Sequence, residues 1–163
     1  MVPSSMGIEI ERKFLVDPNI DPALLDYTEV IHEQQGYTVS GIRFARYHKI
    51  FKREVIYKIN YKTGFGRVRN EYQGSISKDV FDGIWPLTFG KRIEKLRYII
   101  PLVNNFELEL DLYLHANKLP MMTAEVEFKN ESDEERFEES FLPKYLIEEV
   151  TGEEEYLNIK LAC

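Results

Sequence analysis

The sequence contains few of the residues on which many common sites depend. Cysteine occurs once, as Cys163, and histidine three times in 163 residues. A single cysteine excludes an intramolecular disulfide and any zinc site built from several cysteines, and it fits a reducing cytoplasm. His32, His48 and His115 do not have the spacing of a metal-binding motif, so we expect them at the surface or at strand edges.

An excess of positive charge and a long apolar run are also missing. The formal net charge is −7 at pH 7, which argues against general nucleic-acid binding through a basic surface. No apolar stretch approaches the length of a membrane span, and residues 1–7 lack the basic start and apolar core of a signal peptide. We therefore expect no nucleic-acid partner, no membrane insertion and a cytoplasmic location.

Enough apolar and aromatic residues are present to build a core. Hydrophobic residues make up 44% and aromatic residues 13% of the 163-residue chain. These values are typical of a folded globular protein, and the length suits one domain spanning residues 1–163.

The first alternating stretch, residues 8–16, predicts a β-strand with a charged face. Glu9, Glu11 and Lys13 share that face. Carboxylates two positions apart on one strand face lie roughly 6–7 Å apart, and at an effective dielectric of about 20 they repel each other by on the order of 2–3 kcal/mol. A divalent cation that prefers oxygen ligands, such as Mg²⁺ or Mn²⁺, would relieve this repulsion.

Seven further stretches alternate in the same way, with turn-forming residues such as the Thr-Gly-Phe-Gly of residues 63–66 between them. Eight successive strands predict a mainly β fold of the α+β type, with an eight-stranded antiparallel barrel and short flanking helices. The predicted strands are residues 8–16, 29–38, 41–47, 54–62, 67–76, 91–101, 106–113 and 121–129.

Capping signals predict the short helices. Asp21 precedes a proline and can cap one turn, and Ser77 can cap a helix that runs through Trp85. Ser132 has capping-box spacing, which predicts a helix over residues 132–142. Residues 144–151 and 153–161 are interpreted as two further helical pieces, and residues 1–5 as a loose tail.

The polar faces of the strands carry Lys and Arg on some strands and Glu and Asp on others, and two arrangements remain open. The charges can face water outside the barrel as cross-strand ion pairs, each worth about 0.2–1 kcal/mol. Alternatively they line a wide tunnel, and helices or a partner subunit cover the apolar faces. A lined tunnel needs an anion for its cations and a metal for its carboxylates, and a polyphosphate chelated to Mg²⁺ satisfies both. Its apolar exterior would suit a homodimer.

Several motifs, taken in order, resemble a known family. Ile-Glu-Ile-Glu-Arg-Lys-Phe-Leu at residues 8–15 is similar to the opening Glu-x-Glu-x-Lys signature of the triphosphate tunnel metalloenzymes, or CYTH superfamily. The resemblance covers nearly the whole chain. The later matches are Gln-Gly-Tyr at residues 35–37, Lys62, the Arg-Asn-Glu of residues 69–71, Lys-x-Arg-Tyr at 95–98, Glu-Leu-Asp at 109–111, Glu-Val-Glu at 125–127, and a C-terminal plug region with Glu149, Tyr156 and Asn158.

The resemblance implies an eight-stranded antiparallel tunnel with a C-terminal plug helix that acts on triphosphates with Mg²⁺ or Mn²⁺. The motifs are most similar to those of compact bacterial members, which implies hydrolysis of inorganic triphosphate to pyrophosphate and phosphate. A class IV adenylyl cyclase that converts ATP to cyclic AMP is one alternative on the same tunnel, although no adenine pocket is identifiable. A thiamine triphosphatase and a non-catalytic binder of polyphosphate or nucleotides are the others.

The resemblance also implies roles by position. Lys13 and Glu71 are the expected catalytic residues, with Glu71 orienting the attacking water or pairing with Arg69. Glu109 and Asp111 are expected to bind a second metal or to orient basic residues. The remaining implied metal ligands are Glu9, Glu11, Glu125 and Glu127, and the implied phosphate-binding residues are Lys13, Arg43, Lys62, Arg69, Lys95 and Arg97.

Two positions depart from the family pattern. The third strand of the family presents two arginines at alternating positions, whereas here Ala45 shares a face with Arg43, and Arg46 points the other way. Gln73 occupies the position where a second glutamate after Glu71 is expected. One phosphate contact and one acidic group are therefore missing, which bears on rate and substrate preference and not on the fold.

Overall fold

The computed structural model describes residues 4–64 and 66–163, without the side chains of Ser4 and Ser5. Short 3-10 turns connect many of its elements, and no helix in these ranges has the length and apolar character needed to cross a membrane. The elements are β1 (Ser4–Val16), β2 (Glu29–Tyr37), β3 (Arg43–Lys49), β4 (Glu54–Thr63), β5 (Val68–Ser75), α1 (Lys78–Ile84), β6 (Arg92–Pro101), β7 (Glu107–His115), β8 (Met122–Phe128), α2 (Glu131–Arg136), β9 (Leu146–Glu149) and α3 (Asn158–Leu161).

Eight strands form a closed antiparallel barrel, as the sequence predicts. Their order is β1-β5-β4-β3-β2-β6-β7-β8, and β8 pairs again with β1. The strand β1 closes the barrel because its first half pairs with β5 and its second half with β8, and Ile10 takes part in both pairings. The predicted hairpin turn at residues 63–66 is only partly described, because Phe65 lies outside the described residues. Gly64 and Gly66 have φ values of 80° and 97°, which glycine adopts without strain.

The start of β1 differs from the prediction. Ser4 and Ser5 belong to the strand and pair with Gly74 and Gln73, so the predicted loose tail is wrong for these two residues. Residues 1–3 of that tail lie outside the described residues. Pairing with the backbone of β5 extends β1 beyond the stretch whose residues alternate in the sequence. Serine and glycine give no alternation signal at this end of β1.

The charged strand faces point into the barrel and the apolar faces point outward. On the outer face of β7 and β8, Leu108, Leu110 and Val126 are 0% exposed. They belong to the main hydrophobic core, against which Phe137 and Phe141 pack from the chain after β8. The tunnel arrangement, one of the two that the residues leave open, is therefore the one adopted.

The helix after β8 is shorter than predicted. Asn130, and not Ser132, caps α2, since its side-chain oxygen accepts a hydrogen bond from the Asp133 amide at 2.8 Å. The helix ends at Arg136, six residues before the predicted end. The chain turns there because Phe137 packs edge-to-face on Phe106 of the barrel exterior, with ring centroids 5.0 Å apart.

Residues 144–151 do not form the predicted helical piece. Leu146–Glu149 instead forms β9, which pairs with β1 so that Phe14 lies opposite Glu149 and Leu15 opposite Glu148. The physical reason is an unpaired edge: β5 covers one edge of β1 only as far as Ile10, and β9 satisfies the backbone groups further along.

The C-terminal segment closes one end of the tunnel, as a plug helix is expected to do. Leu161 of α3 is 0% exposed and packs against Tyr37, Ile93 and Tyr113 from three strands of the barrel. Tyr113 also donates a hydrogen bond to the Asn158 side chain at 2.9 Å.

Gly36, the central residue of the Gln-Gly-Tyr motif, has a packing role. A Cβ atom at this position would lie 2.4 Å from the Thr88 hydroxyl oxygen. The 3-10 turn Trp85–Thr88 therefore packs on β2 only because this residue has no side chain.

Candidate active site in the tunnel

The barrel encloses a polar cavity of about 420 Å³. Inward-facing side chains of all eight barrel strands surround it, together with Leu157, Asn158 and Ile159 from the plug. The alternation of each strand therefore brings most of the predicted site residues together. Those that line the cavity are Glu9, Glu11, Lys13, Arg43, Lys62, Arg69, Glu71, Arg97, Glu109, Glu125 and Glu127.

Two predicted site residues, Lys95 and Asp111, are inward-facing but do not line the cavity. Both are 0% exposed, and the Lys95 ammonium lies 2.6 Å from an Asp111 carboxylate oxygen. Asp111 also accepts two hydrogen bonds of 2.8 Å from the Arg97 guanidinium. Burial opposes ionisation of Asp111, but Arg97 and Lys95 outweigh it and lower the Asp111 pKa.

Glu9 and Glu11 of β1 pair with cations from β4 and β5. The Lys62 ammonium lies 2.8 Å from Glu9, and the Arg69 guanidinium lies 2.9 Å from Glu9 and 2.6 Å from Glu11. Burial opposes ionisation of Glu9, but a hydrogen bond with Glu71 and the charge of Lys62 lower its pKa to about 2. Burial and the nearby Glu125 carboxylate raise the pKa of Glu11 to about 8.

A second carboxylate group lies on β7 and β8. The Glu109 carboxylate is 2.8 Å from the Arg97 guanidinium, and the Glu125 carboxylate is 3.5 Å from the Lys13 ammonium. Burial raises the pKa of Glu109 to about 8 although Arg97 opposes the shift. For Glu125, Lys13 and Arg97 overcome burial and hold the pKa well below its usual range.

Glu71 is held by an amide and not by an arginine. The Asn60 side chain donates a hydrogen bond to the Glu71 carboxylate at 2.7 Å, whereas Arg69 donates to Glu9 and Glu11. Burial and the hydrogen bond with Glu9 raise the pKa of Glu71.

The donor atoms of the tunnel fit a hard divalent cation. The carboxylates that line the cavity supply only oxygen ligands, which suit Mg²⁺ or Mn²⁺. Burial, together with neighbouring carboxylates, raises the pKa of four of them, Glu11, Glu71, Glu109 and Glu127. In residues 4–64 and 66–163, no three acidic, histidine or cysteine side chains converge on one point as a preassembled metal site. Glu9, Glu11, Glu109 and Glu125 contact lysine or arginine side chains instead.

Comparison with known proteins identifies relatives of this tunnel. No model of a protein family matches the chain. An inorganic triphosphatase of Nitrosomonas europaea is 33% identical over 154 residues, which cover 94% of this chain and 96% of that protein. This chain belongs to the triphosphate tunnel metalloenzymes.

Solved structures agree with this assignment. A crystal structure of an inorganic triphosphatase is 31% identical and has a TM-score of 0.61, with 94% of this chain and 93% of that chain covered. A protein of Pyrococcus horikoshii shares the fold at 18% identity, with a TM-score of 0.56 over 77% of this chain and 81% of that chain. So does a putative adenylyl cyclase of Hippeastrum at 12% identity, with a TM-score of 0.51 over 78% and 82%.

Three inward-facing residues of the triphosphate tunnel have no role predicted from the sequence. Glu33 is 1% exposed, lies 3.5 Å from the Arg97 guanidinium and accepts a hydrogen bond of 2.9 Å from Gln35. Tyr47 and Lys58 line the cavity. The strand alternation, which puts odd-numbered residues of β2 and β3 on the inner face, could have identified Glu33 and Tyr47.

Proposed function

We propose that this protein hydrolyses inorganic triphosphate to pyrophosphate and phosphate with the help of Mg²⁺ or Mn²⁺. The observation that carries the proposal is a closed barrel whose enclosed cavity is lined by both basic and acidic side chains. The relative named inorganic triphosphatase supports the same substrate.

The basic residues of the cavity are suited to bind the triphosphate. A triphosphate carries about four negative charges, and phosphoryl transfer depends mainly on positioning and charge neutralisation. Arginine can grip a phosphate with two hydrogen bonds, whereas lysine acts as a movable point charge. We assign phosphate binding to Lys13, Arg43, Lys62, Arg69 and Arg97, with Lys95 contributing its charge from behind Arg97.

The carboxylates are suited to hold the metal. We assign this role to Glu9, Glu11, Glu125 and Glu127, with Glu109 beside them. When bound, a divalent cation neutralises charge and acts as a Lewis acid. Lys62 and Arg69, which pair with Glu9 and Glu11 here, would then be free to contact a phosphate oxygen.

Glu71 and Asp111 receive different roles. Glu71 lines the cavity with a raised pKa and a fixed hydrogen bond from Asn60, so we assign it the orientation of the attacking water. Asp111 lies outside the cavity wall and is fully engaged by Lys95 and Arg97. Of its two predicted roles, orientation of the basic residues is the one that this contact set supports.

The decisive experiment measures phosphate release from inorganic triphosphate, ATP and thiamine triphosphate in parallel, each with Mg²⁺, Mn²⁺ or EDTA. We expect metal-dependent release from inorganic triphosphate well above the other two. Cyclic AMP from ATP without phosphate release would favour the cyclase. Thermal stabilisation by triphosphate without any turnover would favour a binding protein.

Three broader predictions concern the number of domains, the cellular location and the oligomeric state. We propose that residues 1–163 form one domain and that the chain acts in the cytoplasm. The predicted homodimer has a suitable surface on the barrel exterior, where Met6 and Ile8 are 72% and 67% exposed. Light scattering of the purified protein tests it.

A further inference from the structure

Lys58 is a cation of the tunnel wall that lies outside the predicted phosphate-binding set. It lines the cavity from the inner face of β4, two positions before Asn60 and four before Lys62. Because strand side chains alternate, these three residues form a continuous polar stripe. Lys58 is thus placed to contact any anion in the cavity.

The surroundings of Lys58 differ from those of most other cavity cations. Lys62 and Arg69 each lie within 3 Å of a glutamate carboxylate. Among residues 4–64 and 66–163, no carboxylate lies within 4.0 Å of the Lys58 ammonium. The Lys58 ammonium lies 5.9 Å from the centroid of the Tyr47 ring.

Arg43 contacts the same tyrosine and, like Lys58, has no ion pair within 4.0 Å among the described residues. Its guanidinium donates a hydrogen bond of 3.3 Å to the Tyr47 hydroxyl, and its buried Nε atom has no hydrogen-bond partner in the described part of the chain. A buried donor without a partner costs about 1–3 kcal/mol. An anion bound beside Arg43 and Lys58 would satisfy both cations without breaking an ion pair.

The pairing of β3 with β4 places Lys58 directly opposite Ala45. Residues opposite each other on one sheet face have Cβ atoms about 4.5–5.5 Å apart. Ala45 has no side-chain charge, and the four-carbon stem of Lys58 can bring its ammonium over this position. At this pair of facing positions, the positive charge therefore comes from Lys58 on β4 and not from a residue on β3.

We propose that Lys58 is a substrate-binding residue that contacts a phosphate oxygen and supplies the charge that Ala45 lacks. The proposal rests on the proposed function for the identity of the substrate. It deepens that function because it moves one phosphate contact from an arginine on β3 to a lysine on β4.

The test compares Lys58→Met, Lys58→Gln and Lys58→Arg with a matched control. Lys52→Met makes the same charge change in the turn between β3 and β4, where the Lys52 side chain is 61% exposed. The dissociation constant of inorganic triphosphate is measured by calorimetry in EDTA, where turnover is blocked, and KM and kcat are measured with Mg²⁺. Circular dichroism and Tm report whether each variant folds.

We expect Lys58→Met and Lys58→Gln to raise the dissociation constant and KM about tenfold, as loss of one charge-assisted hydrogen bond should. Lys58→Arg should stay near wild type, and so should Lys52→Met. Wild-type affinity in the folded Met or Gln variant would overturn the proposal while hydrolysis by the wild type stood. Weaker binding by these variants, with no hydrolysis by the wild type, would support Lys58 and overturn the proposed activity.

Discussion

Asp111 shows how a single buried charge fixes the geometry of the tunnel. It has no access to water and is contacted by Lys95 at 2.6 Å and by Arg97 at 2.8 Å. Lys95 is fully buried and Arg97 largely so, and the group is therefore stable only while its charges remain balanced. The carboxylate therefore determines where the Arg97 guanidinium enters the cavity.

We expect Asp111→Asn to lower the free energy of unfolding by about 3–5 kcal/mol, because it leaves two cations underneutralised in a buried site. Urea unfolding measures the change, and Asp79→Asn on the exposed side of α1 is the control. Unchanged stability with loss of Mg²⁺ activation would instead identify Asp111 as a metal ligand.

At Glu9 we expect a separation of catalysis from binding. Glu9→Gln should reduce triphosphate hydrolysis at least about hundredfold, as loss of a preorganised charged group in a phosphoryl-transfer site does. Binding of triphosphate should persist, since Lys62 and Arg69 lose a competing carboxylate. Turnover and calorimetry measure both effects, with exposed Glu148→Gln as control. Wild-type turnover in Glu9→Gln would contradict the role assigned to Glu9.

At the scale of elements, β9 shows how a pairing partner overrides local sequence preference. It covers an edge of β1 that β5 leaves open, and the Arg12 guanidinium holds it through hydrogen bonds of 3.0 and 2.7 Å to the two oxygens of Glu149. These contacts lie outside the cavity, so Glu149 holds β9 on β1 and does not line the tunnel.

The Glu149 pair predicts a pH dependence of stability. The hydrogen bond from Arg12 lowers the Glu149 pKa below its ordinary value of 4.5. Its stabilisation is therefore complete above about pH 4.5 and is lost as the pH falls through the lowered folded-state pKa.

We expect Glu149→Gln to lower the free energy of unfolding by up to about 1 kcal/mol at pH 7, because the pair is partly exposed. The difference from wild type should shrink on acidification to pH about 3. Denaturant unfolding at both pH values measures it, and Glu148→Gln on the same strand is the control. A difference that grows on acidification would contradict the assignment.

At the scale of the whole molecule, the C-terminal segment is attached to the closed barrel at two places. The segment packs Leu161 against residues of β2, β6 and β7, and the Lys13 ammonium donates a hydrogen bond of 2.6 Å to the Tyr156 carbonyl oxygen. The end of the chain is thereby tied both to the core and to a predicted phosphate-binding residue.

We expect Leu161→Ala to lower the free energy of unfolding by about 2–5 kcal/mol through loss of burial and creation of a cavity. Leu24→Ala, at a position 83% exposed, is the control and should change it little. Urea unfolding followed by tyrosine fluorescence measures both. If Leu161→Ala were as stable as the control, the C-terminal helix would not be part of the core.

The sequence by itself determined the positions of the barrel strands and which residues share one face of each strand. Alternation with period two located all eight barrel strands to within a few residues, because a strand exposes its side chains on two faces in turn. It also grouped Glu9 with Glu11 and Lys95 with Arg97. Local capping was readable too, since Asp21 and Ser77 accept the predicted hydrogen bonds from nearby backbone amides.

Only the tertiary structure decided which face points inward and what each charge contacts. Alternation has the same period whether charges face water or a tunnel, and barrel closure made the choice. The strand β9 and the early end of α2 depend on a vacant edge and an aromatic cluster formed by distant residues. Likewise, Lys58 lies opposite Ala45 only because β3 and β4 pair in that register, since a contact between strands is a property of their pairing and not of either sequence alone.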